Sequence, residues 1–315
     1  MDKEEGLVIK STGSSYIVRT QNGLTINCKL RGKFRIQGIK ATNPIAVGDI
    51  ILFIRDNKQG DGFITDIQPR KNFIYRKSVN LSKISHIIAA NIDSAFLIVS
   101  LKDPRTPLGF IDRFLVAAEA FRIKTILIFN KTDLYDFDLR QTQKQLQEIY
   151  SNIGYECIST SVITNEGLNI LKSEMKDKVS LFSGQSGVGK SSIINCIEPD
   201  LQLKVSSVSG YNNKGKHTTT FAEMFELSFG GFIIDTPGIK EFGLIHYEKE
   251  EISHYFPEML QLLPLCKFNN CTHTHEPGCA VKQAWQEGKI ADSRYQNYLA
   301  IIHDEDIELK EWMLE

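Results

Sequence analysis

The stretch Gly184-Gln185-Ser186-Gly187-Val188-Gly189-Lys190-Ser191 spaces its residues as G-x-x-x-x-G-K-[ST], and the chemistry of that spacing is phosphate binding. Glycines let successive backbone N–H groups turn inward around an anion, and a following helix N-terminus adds positive potential. Lys190 neutralises charge on the terminal phosphates, so it serves binding and catalysis together, while the Ser191 hydroxyl can ligate Mg²⁺ and Ser192 is counted among the nucleotide contacts. A second group, Asn130-Lys131-Thr132-Asp133, reads as a base-specificity tetrad. The Asp133 carboxylate can accept two hydrogen bonds from the N1 and N2 donors of guanine. Adenine offers no such pair and would strand a buried carboxylate at a cost of roughly a few kcal/mol. Ser159-Thr160-Ser161 fits the loop whose backbone meets the guanine O6.

Asp235-Thr236-Pro237-Gly238 matches D-x-x-G, in which the aspartate holds Mg²⁺ through water and the glycine N–H senses a γ-phosphate. Between the two phosphate motifs lies Gly215-Lys216-His217-Thr218-Thr219-Thr220, and one threonine of the run, Thr218 or Thr219 foremost, is a switch ligand for Mg²⁺. A run of threonines is equally a β-prone strand start. Ile239 follows Gly238, where a GTP hydrolase of ordinary design has a water-orienting glutamine. An aliphatic side chain cannot orient water, so unaided turnover should be slow and His217 is the catalytic candidate in its place. The alternative is a surface histidine that meets a partner.

Of the six cysteines, Cys28, Cys157 and Cys196 are scattered, whereas Cys266, Cys271 and Cys279 crowd together with His273 and His275. Thiolates beside an imidazole indicate a metal rather than disulfides. Three cysteines and one histidine make a closed tetrahedral set suited to structural Zn²⁺, with no position left for catalysis. Spacing leaves the choice between His273 and His275 open.

The elements that must hold these groups follow from periodicity. The first seventy or so residues alternate polar and apolar in short runs such as Ser15–Arg19 and Asp49–Ile54, parted by turns like Gln21-Asn22-Gly23, which predicts a small all-β barrel of OB or SH3 type. From about Phe73, apolar strands (Ala95–Val99, Thr125–Phe129, Val179–Phe182, Phe232–Ile234) alternate with helices, one carrying Ile111, Phe114, Leu115 and Ala118 on a face. That alternation predicts an α/β sheet. After about Tyr247 the chain reads as helical around the Cys/His cluster. The expected domains are 1–72, 73–245 and 246–315.

A chain of 315 residues, 42% hydrophobic, can bury a large core. No apolar run approaches the about 20 residues that span a bilayer, and no leader pattern opens the chain, so a cytoplasmic monomer is expected. A net charge of -1 advertises no nucleic-acid partner, leaving RNA contact to local groups: Arg70, Lys71, Arg76 and Lys77 around Phe73 and Tyr75.

The guanine tetrad precedes the phosphate loop, the reverse of the usual order. With the N-terminal β domain and the Cys-x₄-Cys-x-His-x₅-Cys cluster, this closely resembles the RsgA (YjeQ) family of circularly permuted GTPases over nearly the whole chain. The resemblance implies an OB-fold, a permuted G domain and a helical zinc domain with His273 as the ligand histidine. It also implies GTP hydrolysis stimulated by the small ribosomal subunit and a role in that subunit's late maturation, with its rRNA as partner. Lys216 departs from the arginine usual in the family before His-Thr-Thr-Thr, and a bidentate phosphate contact is lost with it.

Overall fold

The computed structural model describes residues 3–13, 15–30, 44–55, 60–77, 85–203, 223–235 and 249–303, of which 75–77, 85, 86 and 235 are described by backbone alone. In chain order, β1 (Glu4–Ser11), β2 (Tyr16–Thr20), β3 (Thr25–Leu30), β4 (Ile50–Arg55) and β5 (Gly62–Ile67) precede a hairpin of β6 (Phe73–Lys77) and β7 (Ser85–Ala90). There follow β8 (Ser94–Val99), α1 (Leu108–Ala120), β9 (Lys124–Asn130), α2 (Phe137–Asn152), β10 (Glu156–Thr160) and α3 (Leu168–Met175). β11 (Val179–Ser183), α4 (Lys190–Ile197), β12 (Glu223–Glu226) and β13 (Phe232–Asp235) come next, then α5 (Pro257–Leu260), α6 (Ala280–Gln286) and α7 (Asp292–Ile302).

Two compact units emerge, one of residues 1–96, 169–183 and 190–241 and one of 97–168, 184–189 and 242–315. In the first, β1 to β5 close a five-stranded barrel: neighbours run β1-β2-β3-β5-β4, and β4 returns to pair with β1. β3 and β5 run parallel and the other barrel pairs antiparallel. This is the OB order rather than the SH3 one. Buried residues alternate with half-buried ones in β2 and with exposed ones along most of β3, the period-2 signature of strands with one face on a core, here Val8, Tyr16, Val18, Ile51, Phe53 and their neighbours. A bulge between Val8 and Lys10 bends β1, so its end pairs with β12 at Glu223, where Lys10 also makes an ion pair of 2.9 Å. β13 lies parallel to β11 and antiparallel to β12. The hairpin and β12 lie outside the sequence expectation, because both are short and mix charged with apolar residues, although Gly230-Gly231 marks the turn that leads from β12 into β13.

In the second unit β9 and β10 pair in parallel register. β9 is buried from Thr125 to Asn130, the continuous burial of a strand covered on both faces. Asp136 caps α2 by accepting from the Leu139 amide at 3.0 Å, as a helix start requires. The expected apolar face of α1 is buried, but so are Asp112, Val116 and Ala117. The reason is the C-terminal module: Val116 joins a core with Phe256, Met259, Val281, Tyr295, Tyr298 and Ile302, so α1 is buried on two sides. Arg294, itself buried, bonds Asp112 at 2.5 Å and Glu258 at 2.7 Å, with Phe256 4.4 Å beneath the guanidinium.

Candidate guanine-nucleotide site and metal centre

The glycine loop leaves β11 and runs into α4, whose residues Ile193, Ile194 and Ile197 are buried; strand, loop and helix are continuous in the chain. Lys190, Ser191 and Ser192 form the first turn of α4. Gly184 stands at φ +145°, and a Cβ there would lie 2.3 Å from the Ile98 carbonyl oxygen. At Gly189, φ is +99° and a Cβ would come within 2.4 Å of Asn130 Nδ2. Only glycine admits so close an approach.

That approach joins the loop to the base tetrad. Asn130 Nδ2 donates to the Val188 carbonyl at 2.8 Å, and Asn130 Oδ1 accepts from Thr160 Oγ1 at 3.0 Å. Tyr135 donates its hydroxyl to the Asn130 carbonyl at 2.7 Å and accepts the Leu101 amide at 2.9 Å. Lys131 takes a left-handed conformation, φ +64°, and its ammonium donates to the Asp103 carbonyl. Burial lowers the Lys131 pKa, against the pull of Asp103 and Asp133. Ser161 Oγ donates to Asp133 Oδ1 at 2.6 Å, leaving the other carboxylate oxygen uncommitted by that bond. Thr132, fully buried, donates to Glu166 Oε2 at 2.6 Å, and Arg140 braces the Thr132 carbonyl at 2.8 Å.

The expected loop residues therefore divide. Thr160 reaches the tetrad, whereas Ser159 turns its hydroxyl to α2 and accepts from Gln143 at 2.6 Å and Gln147 at 3.1 Å. Ser161, the last of the three hydroxyls in that loop, is the residue that holds Asp133. A hydroxyl at the end of β10 was the available signal, but which of three consecutive hydroxyls faces the tetrad depends on strand register. Asp235 ends β13; His217, Thr218, Thr219 and Gly238 lie outside the described residues.

Of the basic groups proposed for RNA, Arg70 is sequestered: it is bidentate on buried Asp49, at 2.6 Å to each oxygen, and bonds the Pro44 carbonyl at 2.7 Å. Lys71 pairs with Asp93. The Arg70 guanidinium fastens the start of β4 to the segment after β5 and is unavailable to a nucleic acid.

In the C-terminal module the donor atoms of Cys266, Cys271, His273 and Cys279 all lie within 4.8 Å of one another. His273 Nδ1 sits 3.3 Å from Cys279 Sγ and 3.7 Å from Cys266 Sγ. Burial holds the His273 pKa down, keeping a lone pair free, and raises the Cys271 thiol to about 12 and the Cys279 thiol as well. Thiols so crowded and desolvated ionise only if a cation compensates them, so the set fits a soft divalent metal. His275 is exposed, with Nδ1 engaged by Thr274 Oγ1 at 2.8 Å, which resolves the histidine choice for His273. Beside it, burial raises the Glu276 carboxyl, but hydrogen bonds from Thr272 and local amides outweigh that and hold it at about 2.

Residues 67–245 match the family model described as RsgA GTPase and residues 5–64 that of the RsgA N-terminal domain. The chain is 51% identical over 302 residues to the small ribosomal subunit biogenesis GTPase RsgA of Bacteroides fragilis (strain YCH46), covering 96% of this chain and 97% of that one. It is 53% identical over 303 residues to the protein of the same name from Flavobacterium johnsoniae, covering 96% and 93%. Among solved structures, YjeQ from Thermotoga maritima superposes with a TM-score of 0.79 at 36% identity over 96% of this chain and 98% of that one. The circularly permuted GTPase YloQ gives 0.74 at 31% identity over 96% and 95%. A family model spanning more than half of the chain, together with relatives matched along nearly all of it, establishes that the chain belongs to the RsgA GTPase family.

Proposed function

We propose that the chain binds GTP, hydrolyses it to GDP and phosphate, and uses the cycle in late maturation of the small ribosomal subunit. The observation that carries this reading is the direct tie between base tetrad and phosphate loop. Asn130 bridges Val188 and Thr160 while Ser161 fixes Asp133, so one rigid cluster serves both ends of a guanine nucleotide. Relatives half identical over nearly the whole chain carry the ribosomal name.

In this reading Asp133 reads the guanine N1 and N2 donors, and Gly184, Gln185, Ser186, Gly187, Val188 and Gly189 offer amides to the phosphates. Lys190 neutralises the charge that spreads over the transferred group. Mg²⁺ supplies further compensation for that charge when bound, with Ser191, Asp235 and a threonine at 218 or 219 as its holders. His217 orients the attacking water in place of the missing glutamine, and Gly238 reports the γ-phosphate. Zn²⁺ is the metal assigned to Cys266, Cys271, His273 and Cys279, in a structural role. Contact with rRNA is assigned to Lys71, Arg76 and Lys77 around Phe73 and Tyr75, with Arg70 excluded; rRNA crosslinks that map only to other parts of this chain would remove it. A cytoplasmic monomer is proposed, and light scattering that gives a dimer mass would refute its monomeric part. Among the described residues no helix is long and apolar enough to cross a membrane.

The test is GTP turnover with and without purified small subunits, with ATP as control and Lys190→Ala as blank. Large stimulation selective for GTP is expected. GTP binding without stimulation would refute the ribosome-activated reading. A His217→Ala chain with unimpaired stimulated turnover would take His217 out of the mechanism.

A further inference from the structure

The five residues from Thr272 to Glu276 are wrapped around a single carboxylate. Glu276 Oε1 accepts the Thr272 amide at 2.7 Å and the Thr272 hydroxyl at 2.5 Å. Its Oε2 accepts the amides of Thr274 at 3.0 Å and His275 at 3.2 Å. While these N–H groups face the carboxylate, two carbonyls of the same loop face α7: Tyr298 donates to the Thr272 carbonyl at 2.8 Å and Tyr295 to that of His273 at 2.6 Å. Between them His273 is held at φ +57°, a left-handed conformation that is uncommon for a residue with a Cβ. In that conformation the ring is fully buried with Nδ1 among the sulfurs.

Glu276 is not itself a ligand. Both of its oxygens are committed to the loop, and it stands outside the four donors that converge. Carboxylates that orient metal ligands from outside the coordination sphere govern how tightly the metal is held. Here the orientation acts through the backbone, because the amides on either side of His273 are the ones gathered.

We propose that Glu276 is the positioning residue of the metal centre: by gathering the amides of Thr272, Thr274 and His275 it imposes the left-handed turn that delivers His273 to the three cysteines. The proposal rests on the reading of Cys266, Cys271, His273 and Cys279 as a metal site. Replacing one carboxylate oxygen with an amide group, as in Glu276→Gln, sets N–H against N–H and removes an acceptor the loop needs. The turn should then relax and the imidazole withdraw from its place.

The experiment loads the full-length chain with Co²⁺ and with Zn²⁺. It records the Co²⁺ d–d absorption and measures Zn²⁺ affinity by competition with a chromophoric chelator, for the unaltered chain, Glu276→Gln, Thr272→Val and His273→Ala. For Glu276→Gln we expect a loss of Zn²⁺ affinity of about 10–100-fold and a Co²⁺ spectrum moved toward that of His273→Ala. Thr272→Val keeps the carboxylate and its amide contacts and removes one hydroxyl donor, so a smaller shift in the same direction is expected even if Glu276→Gln fails to fold. Unchanged affinity and spectrum in Glu276→Gln, or in Thr272→Val where the first variant does not fold, overturns the proposal. Weaker affinity with an unaltered spectrum also overturns it, since His273 would then still be bound. Failure of the unaltered chain to take up either ion strikes the metal reading instead.

Discussion

Asp133 can select guanine only if its carboxylate is held facing the base, and a single hydroxyl fixes that aim. Ser161 Oγ lies 2.6 Å from Asp133 Oδ1, and hydrogen bonds to charged groups contribute about 1.5–3 kcal/mol. Ser161→Ala should therefore weaken GDP binding by roughly 10–100-fold, read by titration with a fluorescent GDP analogue. Ser159→Ala should stay near the unaltered chain, since its hydroxyl serves α2 instead. Equal losses in the two variants would refute this division of labour. The tetrad was readable only beside the phosphate loop, because Asn, Lys, Thr and Asp after a buried strand equally suit an ordinary strand-to-helix turn. The roles within Ser159-Thr160-Ser161 were not: they follow from the pairing of Thr160 with Asn130 in the parallel register of β9 and β10.

Among the elements, α1 shows what periodicity misses. Its apolar face was readable, yet Asp112 among buried neighbours signalled a second packed side. There Arg294 pairs with Asp112 and Glu258, Tyr150 donates to Asp112 Oδ1 at 2.9 Å, and Asn297 donates to Oδ2 at 2.5 Å. Burial pushes the Asp112 carboxyl up, and Arg294, Asn297 and Tyr150 pull it back. Every donor around it requires an acceptor, which the ionised form supplies at both oxygens. Removing one partner of a buried pair costs about 3–5 kcal/mol, because the other charge stays behind. Arg294→Met should lower the stability of the unit by that order, whereas Arg294→Met combined with Asp112→Asn and Glu258→Gln should recover part of the loss. Denaturant melts decide it: a triple variant no better than the single one would mean that the network's packing, rather than its charge, is what holds α7 to α1.

At the scale of the molecule, the C-terminal module and α1 share one core, while the barrel has its own. A structural metal couples to the folding of the segment that binds it, so chelation should affect α1 as well as the module. Hydrogen exchange after removal of the metal proposed for the Cys/His cluster should rise in α7 and α1 together and remain unchanged in β1 to β5. Protection lost in the module but kept in α1 would contradict a shared core. The sequence by itself determined the barrel, the α/β alternation, the permuted motif order and a metal-type cluster of three cysteines beside two candidate histidines. Each of these is a property of residue type and spacing along the chain. The tertiary structure decided which hydroxyl holds Asp133, that Arg70 is a clamp on Asp49 and not an RNA contact, and that His273 rather than His275 meets the cysteines. It also decided that Arg294 closes on Asp112, 182 residues away along the chain. Those outcomes depend on which distant groups share a buried volume, where an unpaired charge or donor is costly, and local periodicity carries no record of that.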